Sequence, residues 1–317
     1  MSLIQRAKNF RKQYSLGQNF LVNEEILNQI IRVSNLSKED IVIEVGPGIG
    51  FLTEKIIAKA QELYSIELDR NTIPHLKILK AANSNFHYLR DDFLALSIQD
   101  IFYLNSYEQK KKQLLENNDI EDLEIEDTEM ISDMEREKSI SLFNQLLEQN
   151  KKIKIVANIP YQISSKILLH LLGEIGEDSI NKQYISEINI LVQKEFADKL
   201  CAKPGDKDFG SLTLLMNYHA DISQEIDVSR NDFMPAPKVD SCFIKIKIKE
   251  KPDFIIEKPK QLRRLIKAIY ANRRKKLING LKAAGFHETE IKNLALADNL
   301  RGETLSLKEI NDLVMKL

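Results

Sequence analysis

Apolar, β-branched runs alternate with helical patterns through the first two thirds of this 317-residue chain. The runs fall at Ile41–Val45 (IVIEV), Glu62–Glu67 (ELYSIE), Phe86–Leu89, Ile153–Ala157 and Ile188–Val192 (INILV). Between them, Glu24–Val33, Leu52–Ala60 and Ser165–Leu172 space their apolar residues along one helical face. Strand and helix in that rhythm predict an α/β fold, a mostly parallel sheet with helices on both faces. A chain of this length has ample material for one large domain and a smaller one.

After Gly210 a helical pattern (SLTLLMNYHA) precedes two β segments, Ile222–Val228 and Ser241–Ile248. The second alternates Cys242, Ile244, Ile246 and Ile248 with Lys245, Lys247 and Lys249. An antiparallel hairpin appended to the sheet edge is predicted, its lysines blunting that edge. Past Lys251-Pro252 the pattern is helical only, over Leu262–Ala283, Glu288–Leu296 and Ser306–Leu317. The last begins Ser306-Leu307-Lys308-Glu309, the spacing of a capping box. A boundary near residue 250 therefore separates a sheet domain, 1–250, from a small all-helical domain, 251–317.

Charge is segregated. Asn105–Asn150 holds 13 acidic and 5 basic residues, a net of −8, so the rest of a chain totalling −1 carries +7. A basic working surface can therefore sit beneath a neutral total, which keeps nucleic acid among the partners. The acidic stretch separates the third strand from the fourth and reads as a solvated insertion. No run approaches the eighteen apolar residues of a membrane span. The basic N-terminus lacks the apolar core of a secretory signal. Cys201 and Cys242 lie far apart and in no CxxC pattern, which fits buried fillers in a reducing, cytoplasmic protein. Five histidines without ligand spacing predict no metal site.

Chemistry gathers at the ends of the strands. In IVIEVGPGIGFLT a strand closes at Glu44, and Gly46-Pro47-Gly48-Ile49-Gly50 then opens a helix. Glycines in such a turn let a ligand approach the backbone closely. Ile66-Glu67-Leu68-Asp69 ends the next strand, where a carboxylate accepts from two ribose hydroxyls. Asp91-Asp92-Phe93-Leu94 follows the third, where a carboxylate accepts from an adenine amino group and an apolar side chain covers the ring. Each acid alone suits a solvated loop; one after each of three successive strands predicts a nucleoside site. A pyrophosphate wants a helix N-terminus and GxGxxG spacing. S-adenosylmethionine has no phosphate and needs only a close-approach glycine, so the GxGxG found here suits it better.

The fourth strand runs into Asn158-Ile159-Pro160-Tyr161 at the same end of the sheet. An exocyclic base amine is a poor nucleophile, because its lone pair is delocalised into the ring. Hydrogen bonds from both amine hydrogens to the Asn158 side-chain oxygen and the Ile159 carbonyl favour a tetrahedral nitrogen aimed at a sulfonium methyl. Pro160 holds that carbonyl, and Tyr161 offers a face for an extruded base. A plain turn after a strand is the competing explanation of N-x-P.

With these residues quoted, the chain resembles the KsgA (RsmA) family of ribosomal RNA adenine N6-dimethyltransferases, which shares its fold with the Erm methylases. Ser15-Leu16-Gly17-Gln18-Asn19-Phe20-Leu21 is similar to the family's N-terminal motif, whose Asn and Leu line the cofactor pocket. The resemblance implies a Rossmann-like class I methyltransferase sheet. It implies an S-adenosylmethionine site of Gln18, Asn19, Leu21, Gly46, Gly48, Glu67, Asp92 and Asn158. The family pattern of Asp, one residue, then Leu or Met selects Asp92, with Asp91 the alternative. Phe233-Met234-Pro235-Ala236-Pro237-Lys238-Val239-Asp240-Ser241 looks like the segment whose Phe gives a second stacking face, which puts Phe233 opposite Tyr161. Gln193–Leu200, Lys203–Gly210 and Asn299–Ser306 resemble KsgA and not Erm. The implied substrate is a pair of adjacent adenines in the 3′-terminal stem-loop of small-subunit RNA, in the immature 30S particle, and a monomeric enzyme is expected.

Arg263, Arg264, Lys267, Arg273, Arg274, Lys275 and Lys276 concentrate charge in the helical domain. With Arg11 and Lys12 they are expected to track phosphates while the pocket selects the base. Three other readings compete: an Erm-like enzyme on large-subunit RNA, an assembly or transcription factor that binds on the same fold, and a nicotinamide oxidoreductase. The glycine spacing disfavours the last.

Overall fold

The computed structural model describes residues 2–10, 17–103, 143–144, 148–149, 152–271, 273 and 275–317. Its strands are β1 (Phe20–Leu21), β2 (Ile41–Val45), β3 (Glu62–Ile66), β4 (Phe86–Leu89), β5 (Ile153–Asn158), β6 (Gly173–Glu174), β7 (Glu177–Asp178), β8 (Ile185–Gln193), β9 (Ala220–Val228), β10 (Phe233–Met234) and β11 (Ser241–Ile248). Seven form one sheet in the order β4-β3-β2-β5-β8-β11-β9. The first five run parallel, and β11 is antiparallel to both β8 and β9. All five residues of β2 are buried, as a central strand covered on both faces requires. Along β5, Ile155 packs into one apolar cluster and Val156 into the other, so the two faces of the sheet have separate cores.

Helices α1 (Leu3–Asn9), α2 (Glu24–Val33), α3 (Phe51–Ile57), α4 (Ile73–Ala82), α5 (Ser164–Leu172), α6 (Lys194–Cys201) and α7 (Ser211–His219) flank the sheet. Asn23 caps α2, its Oδ1 accepting from Glu25 N and Ile26 N at 3.0 and 3.3 Å. Strand order reverses between β2 and β5, because the chain leaves β2 towards β3 and later returns to its other side. In parallel sheets a reversal of this kind opens a crevice at the carboxyl ends of the strands.

Two expectations change. The lysine-bearing strand β11 is interior, paired on both sides, so its lysines do not blunt the edge. Lys245 instead lies 3.9 Å from Glu187 on β8. The true edge is β9, whose exposed Asp221, Glu225 and Asp227 oppose strand addition by charge of the other sign. The helix expected over Leu262–Ala283 is two, α8 (Pro259–Ala271) and α9 (Leu277–Ala283), followed by α10 (Glu288–Asn293) and α11 (Leu307–Val314). Arg273 lies between the first two, donating to Glu303 at 2.8 Å and to the Asp206 carbonyl at 2.7 Å. The Ser306–Glu309 capping box forms as expected. These helices share an apolar cluster with Ile175, Phe209, Leu214 and Leu215, so the compositional change near residue 250 does not bound a separate core. The acidic stretch lies almost wholly outside the described residues. Among those described, no helix is long and apolar enough to cross a membrane and no side-chain group is arranged to hold a metal ion.

Candidate active site

At the reversal point a cavity of about 310 Å³ is lined by the ends of β2, β3 and β5 and by the N-terminal segment Gly17–Leu21. The loop after β2 turns through positive φ at Gly46, Gly48 and Gly50 (69°, 58° and 89°), a region glycine enters without steric cost. At Gly48 a Cβ would stand 2.8 Å from the Phe20 ring, so the N-terminal segment closes over this loop only because the side chain is missing. The three glycine amides of the loop are already used. Gly46 N donates to Ile66 O at 2.9 Å, Gly48 N to Glu67 Oε2 at 2.8 Å and Gly50 N to Pro47 O at 3.0 Å.

Four carboxylates, Glu44, Glu67, Asp91 and Asp92, face the cavity, with no Lys, Arg or His among the described lining residues. Glu44, 1% exposed, accepts from Thr53 Oγ1 at 2.8 Å and Ser65 Oγ at 2.7 Å. Burial strips water from its charge and pushes its pKa up to about 7. Glu67 is held by the amides of Gly48 and Asp69, each at 2.8 Å. Burial raises its pKa too, with those two hydrogen bonds opposing the rise. Beyond it, Asp69 accepts from Gln18 Nε2 at 2.8 Å and ties the N-terminal segment to β3. Asp92 Oδ1 accepts from Leu94 N at 3.0 Å, and Asp91 Oδ1 accepts from Asp92 N at 2.7 Å. The structure brings both aspartates to the cavity, Asp92 the more exposed of the two.

Asn158 ends β5, and its amide is oriented. Nδ2 donates to the backbone carbonyl of Asn19 at 3.1 Å, and the reverse orientation would set two acceptors face to face. The Asn19 side chain turns back to Gly17 O, so that residue serves through its backbone. Pro160, with φ −60°, leads into a turn of 3-10 helix over Tyr161–Ile163. The half-buried Tyr161 ring is held at its far end, its hydroxyl 2.6 Å from Ser241 Oγ. Ile159 is buried and lines the cavity.

Phe233 departs from expectation. Leu21 on β1 pairs with it on β10, and its ring, 2% exposed, packs with Val156, Leu191 and Phe243. Phe233 is not among the described residues that line the cavity, so a stacking face opposite Tyr161 would need its ring to leave this packing. The basic residues divide likewise. Arg263 binds the Ile175 carbonyl at 2.9 Å and Glu177 at 3.2 Å. Arg264 lies 3.0 Å from Glu290 and over the Phe286 ring, and Arg273 is committed as described. Arg263 and Arg273 tie the helical region to the sheet domain and Arg264 pairs within it, whereas Lys267, Lys275 and Lys276 are exposed. Arg11, Lys12 and Arg274 lie outside the described residues. Sequence reasoning missed Glu44 and Leu68 as cavity residues. The acid interrupting IVIEV was the available signal for the first; nothing in the sequence marked Leu68, 53% exposed at the cavity.

Residues 8–317 match the family model described as ribosomal RNA adenine dimethylase. The ribosomal RNA small subunit methyltransferase A of Clostridium botulinum is 32% identical over 308 residues, spanning 96% of this chain and 93% of its own length. The chain belongs to the ribosomal RNA adenine dimethylase family. A dimethyladenosine transferase from Plasmodium falciparum superposes with a TM-score of 0.65 at 20% identity, covering 92% of this chain and 95% of that one. The 23S rRNA methyltransferase ErmE gives 0.59 at 18%, covering 94% and 99%. At these identities the likeness is one of fold, the Rossmann-like class I methyltransferase fold. As a ribosomal RNA adenine dimethylase the chain is an enzyme, and its cofactor is S-adenosylmethionine.

The cavity residues fit that cofactor. A dinucleotide's pyrophosphate would find the three glycine amides of the loop engaged and a lining with acidic residues and no described Lys, Arg or His to pair with it. A phosphate-free ligand bearing positive charge meets neither obstacle.

Proposed function

We propose that this ribosomal RNA adenine dimethylase modifies N6 of two adjacent adenines near the 3′ end of small-subunit RNA, within the immature 30S particle. The small-subunit substrate rests on the curated relatives named for that subunit and on the Gln193–Leu200, Lys203–Gly210 and Asn299–Ser306 segments. The observation that carries the chemistry is the fixed amide of Asn158, whose Nδ2 is spent on Asn19 O. Its Oδ1 is thereby left as an acceptor at the cavity.

In this reading Gly46 and Gly48 admit the cofactor to the backbone, Glu67 takes the ribose, and Asp92 or Asp91 takes the adenine of the cofactor. Gln18, Asn19 and Leu21 close the cavity from the N-terminal side. S-adenosylmethionine supplies, when bound, a methyl group on a positively charged sulfur. In the first transfer Asn158 Oδ1 and the Ile159 carbonyl accept hydrogen bonds from the two N–H groups of the target amine. In the second, one of them accepts from the single N–H that remains, which draws the lone pair out of conjugation. Tyr161 stacks on the extruded base, and Pro160 fixes the carbonyl between them. No side chain has to take the proton, which passes to water after transfer. Lys267, Lys275 and Lys276 contact phosphates, with Arg11, Lys12 and Arg274 as further candidates. Residues 1–250 carry the chemistry and 251–317 engage RNA, in a cytoplasmic, monomeric enzyme.

Transfer of tritiated methyl groups, offered in parallel to under-methylated small subunits and to protein-free large-subunit RNA, with modified nucleotides mapped by mass spectrometry, tests the proposal. Dimethyladenine at two neighbouring positions near the 3′ end is the expected result. Label appearing only in large-subunit RNA would assign the chain to Erm-type chemistry, and binding without transfer would leave it an assembly factor.

A further inference from the structure

The hydroxyl of Tyr161 is the one polar atom of the proposed base platform that points away from the base, and it meets Ser241. The two oxygens are 2.6 Å apart. Ser241 is completely buried at the start of β11, where it pairs with Gln193 of β8 on one side and Val228 of β9 on the other. Its Cα is thus held by two strands, and its hydroxyl is presented from a rigid part of the sheet.

A tyrosine ring at a cavity wall is anchored only at Cβ, and its second torsion is a broad well. Left so, the ring pivots and tilts. A hydrogen bond at the para position supplies the second anchor, leaving the ring's face as the surface it presents. Burial raises the pKa of this hydroxyl, so it stays protonated and can donate or accept. The turn Pro160–Ile163 positions the near end and the β8–β11–β9 ladder positions the far end.

We propose that Ser241 is a positioning residue that locks the plane of Tyr161 so that a stacked adenine presents N6 to Asn158 Oδ1 in a single orientation. The inference rests on the proposed function and adds a role outside the Asn158–Tyr161 motif. It also gives a task to the end of the Phe233–Ser241 segment, whose phenylalanine is sealed in the core.

The test is a double-mutant cycle on Ser241→Ala and Tyr161→Phe, read as methyl transfer under single turnover and as S-adenosylhomocysteine binding by calorimetry. Each single variant is expected to lose about 10- to 100-fold in the transfer rate, as misplacement of a reacting group does. Cofactor affinity should stay within about two-fold. Because both changes remove the same bond, the double variant should be no slower than the worse single one. Losses that multiply in the double variant, or wild-type rates in Tyr161→Phe, would overturn the inference. Tyr161→Phe alone decides the matter if Ser241→Ala fails to fold, since it removes the bond from the cavity side. Absence of transfer by the unaltered chain would instead sink the proposed function, and this inference with it.

Discussion

Asn158 shows how one hydrogen bond turns a common amide into a directed acceptor. Changing it to Asp replaces the donor facing Asn19 O with an acceptor, so the side chain must swing or repel. Asn158→Asp is expected to lower the single-turnover rate about 10²- to 10³-fold, with S-adenosylhomocysteine affinity changed far less by calorimetry. Glu44 gives a second residue-scale prediction, on pH. Its folded pKa, about 7, lies above the ordinary carboxylate value of 4.5. Above pH 4.5 the unfolded chain has released a proton that the native state keeps, so stability falls as pH rises towards 7 and levels off above it. The span is up to about 3 kcal/mol, at 1.36 kcal/mol per pKa unit. Urea midpoints at pH 5 and pH 8 measure it, and Glu44→Gln should flatten the difference. The Asn158 motif was legible in the sequence because an amide, a proline and an aromatic are unusual at the end of a buried strand. Burial of Phe233 was not legible, since the β1–β10 pairing that seals it joins residues more than two hundred positions apart.

At the scale of elements, strand patterns translated almost directly: β2 and β4 match the predicted ranges, and β5 runs one residue further, to Asn158. Alternation and β-branching are local signals, and a buried parallel strand needs little else. Strand order is not local, which is why the lysines of β11 were assigned to an edge they do not occupy. The junction between α8 and α9 shows the same limit. Its basic run looked uniform, yet Arg273 is tied to Glu303 and the Asp206 carbonyl, while Lys275 and Lys276 are exposed. Arg273→Ala should therefore cost about 1–2 kcal/mol of stability. The pair Lys275→Gln and Lys276→Gln should leave the melting temperature unchanged and reduce the slope of RNA affinity against salt by about two. Thermal denaturation and a salt titration of binding, run on both variants, separate the two roles.

Taken whole, the molecule places its cofactor cavity at the β2/β5 reversal, with Lys267 exposed on α8 and Lys275 and Lys276 exposed between α8 and α9. Composition located the change at residue 250 but not the packing across it, because composition records which residues are present and not what they touch. Ile175, Phe209, Leu214 and Leu215 lie in the same cluster as Leu262, Leu265 and Ile310. A chain ending at residue 250 is therefore expected to aggregate, seen as loss of the monomer peak in analytical ultracentrifugation. Adding back 251–317 as a separate polypeptide should restore it only if that seam re-forms. The two regions cannot be traded as modules. Replacing the helical end would expose an oily seam reaching back to Phe209, so a graft has to bring apolar residues that fit it.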